Sequence, residues 1–225
     1  FSCNFGHAAA PGSTLSVIDM ATFDVLEDIE VGGGPEQIAI DASGTLGIFN
    51  VDALDGVRVF EVADPSGTMS DALVVSGDPS GVAFVEGTDY AVVANSLDPS
   101  NWAVVDVSNP SAPSVFFAAD APGGFPYGVT TIPGTTEVLI TIANDNTTYL
   151  RVDAGSSPPS VVWSSSATGL RSFPMGIAVD VDSGLALSGA VGADALLVIP
   201  LDGGAIEAIA WPEPGPAYVA IGAAR

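Results

Sequence analysis

The sequence has no lysine, a single cysteine, a single histidine and no long apolar run. Its four basic residues are Arg58, Arg151, Arg171 and Arg225, against 27 acids, for a net charge of −23. Such a surface repels phosphate backbones and anionic bilayers, so nucleic acid is excluded as a partner. Without an apolar stretch near the ~20 residues of a membrane span, membrane insertion is not expected. Cys3 has no second cysteine to pair with, which rules out an intrachain disulfide. His7 alone cannot build a histidine-rich zinc site, and no G-x-S-x-G elbow accompanies it for nucleophilic catalysis. The run Gly32-Gly33-Gly34 leads into strand-like sequence and not a helix, so it is not a phosphate cradle.

What is present is apolar and punctuated. Hydrophobic residues make up 48% of the 225, broken by 26 glycines and 17 prolines. Short strands joined by turns follow from that composition. The chain opens on Phe1, which reads as a processed or excised product whose signal peptide, if any, lies outside it.

Repetition sets the expected fold. Pro35, Pro79, Pro126, Pro174 and Pro216 each precede an alternating apolar strand, at intervals of 42 to 48 residues. The step from Pro216 through the two ends back to Pro35 is of the same size. A second strand type ends at Asn4, Asn50, Asn95, Asn144 and Gly189; a third ends at Asp19, Glu61, Asp106, Asp153 and Pro200; a fourth includes VLEDIEV and SVFFAA. Four strand types, each five times, predict one domain over 1–225: an all-β, five-bladed β-propeller of four-stranded antiparallel blades. The chain starts in the second strand type and finishes, over Tyr218 to Ala223, in the first. The last blade is therefore expected to be closed by one C-terminal and three N-terminal strands.

The segments Ser16–Asp19, Gly34-Pro35, Ile38–Asp41 and Phe49-Asn50 resemble the YVTN-type, lactonase-like propeller repeat, and Val104–Val115 is similar to the LVIVD repeat. The resemblance implies a propeller of the secreted or surface-displayed kind. The family's enzymes carry catalytic acids, histidine or arginine with a divalent metal at the channel mouth. No such set maps onto this sequence residue by residue.

Loops entering the first strand type and leaving the second share one face, the usual ligand side. They hold Glu36, Asp78, Phe125, Tyr127, Arg171, Phe173, Trp211 and Tyr218, with Asp52, Asp55, Asn144 and Asp145 beside them. Flat rings stack on sugars while amides and carboxylates bond hydroxyls, so Phe125, Tyr127, Phe173, Trp211 and Tyr218, with Arg171 for any anionic group, form the expected ligand site. The competing reading is that these aromatics plug gaps between blades. Asp52 with Asp55, or Asn144 and Asp145 with Asn146, offer oxygen ligands for Ca²⁺, although neither set has the spacing of an EF-hand and short Asp and Asn side chains also cap turns. The functional expectation is an extracellular or cell-surface binding module, for carbohydrate or a protein ligand. Two alternatives stand beside it: a metal-dependent hydrolase of lactonase type, and a structural surface-layer or filament component.

Overall fold

A computed structural model describes residues 1–7, 10–75, 77–97, 101–212 and 215–221, the side chains of residues 7, 10 and 11 excepted. Nineteen strands form five antiparallel sheets, one of three strands and four of four. Strands β1 (Ser2–His7), β2 (Ala10–Ile18) and β3 (Val25–Glu30) make the first. The second is β4 (Pro35–Ile40), β5 (Leu46–Val51), β6 (Gly56–Glu61) and β7 (Leu73–Val74). The third contains β8 (Pro79–Phe84), β9 (Tyr90–Asn95), β10 (Asn101–Asp106) and β11 (Ser114–Asp120). The fourth runs through β12 (Phe125–Thr131), β13 (Glu137–Ala143), β14 (Thr148–Asp153) and β15 (Ser160–Ser166). The last comprises β16 (Ile177–Asp180), β17 (Leu185–Ala190), β18 (Ala195–Pro200) and β19 (Glu207–Ala210). Each is a meander of neighbours in chain order, which short tight turns favour.

The turns explain the repeat. Between the first and second strands of four sheets sits a glycine in the left-handed region: Gly44, Gly87, Gly134 and Gly184, with φ from 69° to 77°. A side chain is disfavoured there, and glycine is not. In the first of these turns Asp41 Oδ1 accepts from both Thr45 N and Leu46 N at 2.7 Å. Asp19, Asp106 and Asp153 likewise accept from backbone N–H groups two residues on, at Ala21, Ser108 and Gly155. These acids end their strands by holding turns.

A shared irregularity follows the repeated proline. Pro35, Pro79 and Pro126 pair with Val51, Asn95 and Ile142, while Ile38, Val82 and Val129, three residues on, pair with Phe49, Val93 and Ile140, only two back. One extra residue per sheet bulges at the same place. This register corrects the expected asparagine series. Asn95 lies opposite its proline, Asn50 is one step short of that position and Asn144 two steps beyond it. The site equivalent to Asn50 is held by Ala94, Thr141 and Gly189.

That site joins each sheet to the next. Asn50 Nδ2 donates to the carbonyl of Pro79, and Thr141 Oγ1 donates to the carbonyl of Pro174 at 2.6 Å. Beside Ala94, Ser80 Oγ donates to Pro126 O at 3.1 Å. A Cβ on Gly189 would lie 2.2 Å from Pro216 O, so the bare glycine lets that carbonyl approach. β1 packs on β4, β4 on β8, β8 on β12 and β12 on β16. The core is accordingly divided into four, one per seam. Leu15 and Ile29 meet Phe49 and Phe60; Ile48 and Val59 meet Val82 and Val93. Trp102 and Val104 meet Ile140 and Leu150; Leu139 and Tyr149 meet Leu197 and Ile199.

The ends differ from expectation. Tyr218–Ile221 form no strand, the first sheet keeps three strands, and residues 222–223 lie outside the described ones. The C-terminal stretch is held by the last sheet instead: Gly176 N donates to Ala217 O at 3.0 Å and Gly215 N to Asp194 Oδ1 at 2.9 Å.

Candidate functional site

A cleft of about 540 Å³ opens between the fourth and fifth sheets. Phe125 and Phe173 line it, together with Asn144, Asp145 and Arg171. Five of the residues singled out from sequence thus converge, and the aromatic and Asp/Asn sets merge into one site. Phe125 and Phe173 are 47% and 50% exposed, so their rings are available to a ligand and do not plug the seam.

Local structure fixes these side chains. Phe125 starts β12 opposite Ala143. The floor before it must be glycine, because a Cβ on Gly124 would sit 2.7 Å from Ala143 O. Phe173 is pinned through its backbone by a two-way bridge to Val191, at 3.0 and 3.2 Å. The loop carrying Asn144 and Asp145 is tied in several ways. Asn144 Nδ2 donates to Thr148 Oγ1 at 2.9 Å, and Asn146 Oδ1 accepts from Gly169 N at 3.0 Å. Thr147 Oγ1 donates to Leu170 O at 2.6 Å and shares a 2.7 Å hydrogen bond with the buried hydroxyl of Ser172. Arg171 and Asp145 stand 3.5 Å apart at the rim, both fully solvated. An ion pair so exposed contributes little and yields easily to a ligand.

Tyr127 joins the cleft to a second feature. Its ring meets Phe173 edge-on, centroids 6.4 Å apart, and its hydroxyl donates to the Glu36 carboxylate. Glu36 lies two sheets away, among Asp52 and Asp78, with Tyr218 near. Ser96 Oγ binds Asp78 at 3.2 Å, and Asn50, whose Oδ1 accepts from Gln37 N at 2.6 Å, reaches Asp52 at 3.4 Å. Burial raises the Asp52 carboxyl to about 7, reinforced by the negative charges of Asp78, Glu36 and Asp55 and opposed by Asn50. Burial also raises Glu36, with Asp78 adding to it and the Tyr127 and Asn50 hydrogen bonds opposing. Tyr127 is pushed far up by burial, by donating to Glu36 and by the nearby negative charge, so it keeps its proton and remains a donor. The cluster can store a proton near neutrality.

The remaining expected site residues lie apart. Trp211 is 46% exposed and donates its backbone N–H to Asp194 O at 2.7 Å, but does not line the cleft. Tyr218 sits beside Gly176, within electrostatic reach of Glu36, and does not line the cleft. Asp52 and Asp55 stand at the two ends of one short helical turn, Asp55 being left-handed at φ 46°, and neither lines the cleft. Among the described residues no three His, Cys, Asp or Glu side chains gather as a metal would need. Cys3 is pushed up to about 11 by burial, which makes its thiol a poor nucleophile. No described helix is long and apolar enough to cross a membrane.

No family model matches the sequence, and comparison with curated proteins finds no relative. Solved structures do share the fold. Hydrazine synthase of Kuenenia stuttgartiensis superposes with a TM-score of 0.75 at 17% identity over 89% of this chain. A functionally unknown protein from Desulfotomaculum acetoxidans reaches 0.68, also at 17% identity, over 88% of this chain and 68% of its own. U3-55K reaches 0.64 at 13% identity over 82% of this chain and 54% of its own. The chain spans 60% of the length of the hydrazine synthase chain. At such identities the likeness is one of repeated-blade β architecture alone.

Proposed function

We propose that the chain is a five-bladed β-propeller acting as a binding module, with a carbohydrate as ligand in the cleft between its fourth and fifth sheets. The observation that carries the reading is the pair Phe125 and Phe173, two half-exposed rings facing one cleft whose rim holds an amide, a carboxylate and a guanidinium. A ring offers its face to the C–H surface of a sugar, and the polar rim groups match its hydroxyls. The negative net charge favours a neutral ligand over an acidic one, apart from what Arg171 can meet. The ring reading is supported by the carbonyl hand-off from sheet to sheet, in which Pro216 stands to Gly189 as Pro79 stands to Asn50. An extracellular or cell-surface setting belongs to the same reading and rests on the resemblance to YVTN- and LVIVD-type repeats.

The test is a thermal-shift series with neutral oligosaccharides of glucose, mannose, galactose and N-acetylglucosamine. A sugar present at 100 times its Kd stabilises the native state by about 2.7 kcal/mol, a readily measured rise in Tm. A rise that disappears in Phe173→Ala supports the cleft. A rise that survives in both Phe173→Ala and Phe125→Ala moves the site elsewhere.

A further inference from the structure

The cleft wall and the buried carboxylates are linked through one side chain. Phe173 is fixed at its backbone by Val191, but the only ring packed on its own is Tyr127 among the described residues. Tyr127 is in turn held at its far end, where its hydroxyl donates to Glu36 across two sheets. Sequence separation of 91 residues makes this a tertiary clamp and not a local turn. We propose that Tyr127 is a positioning residue which transmits the protonation of Glu36 and Asp52 to the Phe173 ring, so that the cleft is tuned by pH.

The groups facing this relay are few. On the carboxylate side they are Glu36, Asp52, Asp78 and Asp55, with Tyr218 and Cys3 adjoining Glu36 and the terminal amine near Cys3. No arginine or lysine faces them among the groups that perturb them, so each added negative charge is uncompensated. On the cleft side stand Asp145 and Arg171, which pair with each other. With Glu36 and Asp52 protonated, repulsion between them is absent and Glu36 stays where Tyr127 reaches it. As they ionise, Glu36 is pulled toward the Tyr127 donor and pushed by Asp52 and Asp78, and the tyrosine moves with it. Phe173, free to turn about its side-chain bonds, follows its edge-on partner.

The inference rests on the cleft reading for its biological meaning but is tested without any ligand. The chain is produced with 4-fluorophenylalanine at its ten phenylalanines, and the Phe173 fluorine resonance is assigned by its loss in Phe173→Leu. The resonance is expected to move between the ordinary carboxylate range and pH about 7, where Asp52 titrates. The movement should vanish in Tyr127→Phe, where position 127 also takes up the label, so that a fluorinated ring without the hydroxyl stands there and adds an eleventh resonance. It should also vanish in Glu36→Gln, which keeps the acceptor but not the charge, and should persist in Asp145→Asn, which removes the carboxylate on the cleft side. The remaining resonances report whether each variant is folded. A Phe173 signal that does not move in the parent protein, or moves equally in Tyr127→Phe, overturns the relay. A moving signal in a protein that binds none of the sugars would leave the relay standing and remove the carbohydrate reading.

Discussion

Asp52 and Glu36 both ionise with more difficulty in the folded chain than in the unfolded one, Asp52 near 7 instead of 3.8. The folded state therefore binds their protons more tightly, and stability falls as pH rises from about 4 through about 7. Asp106 and Asp41 act in the opposite sense. Asp106 is lowered by hydrogen bonds from Ser108, and in Asp41 slight burial is outweighed by those from Ser43, Leu46 and Thr45. Their contribution is present above the usual carboxylate range and lost below it, so stability should peak on the mildly acid side of neutrality. Urea midpoints taken at intervals from pH 4 to pH 8 should show the decline, and Asp52→Asn should flatten it; an equal decline in that variant would place its origin in the general charge of −23. Glycine gives a sharper residue-level test. A Cβ at Gly81 would lie 2.0 Å from Tyr127 O, so Gly81→Ala should cost about 1–3 kcal/mol in chemical denaturation and disturb the ring that supports Phe173.

At the scale of strands, the seams depend on single side chains that satisfy two backbone groups at once. Thr141 Oγ1 accepts from Gly128 N at 2.7 Å and donates to Pro174 O, all buried. Thr141→Val keeps the shape and strands both partners, at an expected cost of about 2–4 kcal/mol by equilibrium unfolding. A cost below about 0.5 kcal/mol would show that the hand-off is incidental. Strand types, their order and their turns were legible in the sequence, because alternation and the Gly and Asp punctuation are local signals. Register was not. The bulge after Pro35, Pro79 and Pro126 inserts a residue that no pattern announces, so Asn50 and Asn95 look equivalent while Thr141 holds the position that Asn50 does. Of the site, Phe125, Phe173, Arg171, Asn144 and Asp145 could be named from loop placement. The Tyr127–Glu36 clamp could not, since it joins residues 91 apart through a contact that only the tertiary fold creates.

For the molecule as a whole, the proposed ring turns on the seam between the last sheet and the first. The other four seams each bury an apolar cluster, and none is formed at this one among the described residues. The C-terminal stretch nevertheless takes the place at Gly176 and Gly189 that a fifth innermost strand would occupy, and Tyr218 lies within electrostatic reach of Glu36 in the second sheet. If the ring is closed there, deleting residues 215–225 removes the joint and not merely a tail. The expected loss is two partly buried hydrogen bonds and the contact of Tyr218 with Gly176, about 3 kcal/mol or roughly 10 °C in Tm by calorimetry. An unchanged Tm would argue against a five-bladed ring.

The most direct test of the binding account is an isothermal titration of the best-stabilising sugar into the parent protein and into the Phe125→Ala, Phe173→Ala double variant. Both rings are half exposed, so the double variant should keep its Tm within a few degrees. Loss of two stacking faces should weaken binding by about 100-fold, at roughly 1.4 kcal/mol per ring. Equal affinity in the two proteins, or no heat with any sugar tried on the parent, would contradict a carbohydrate site in this cleft.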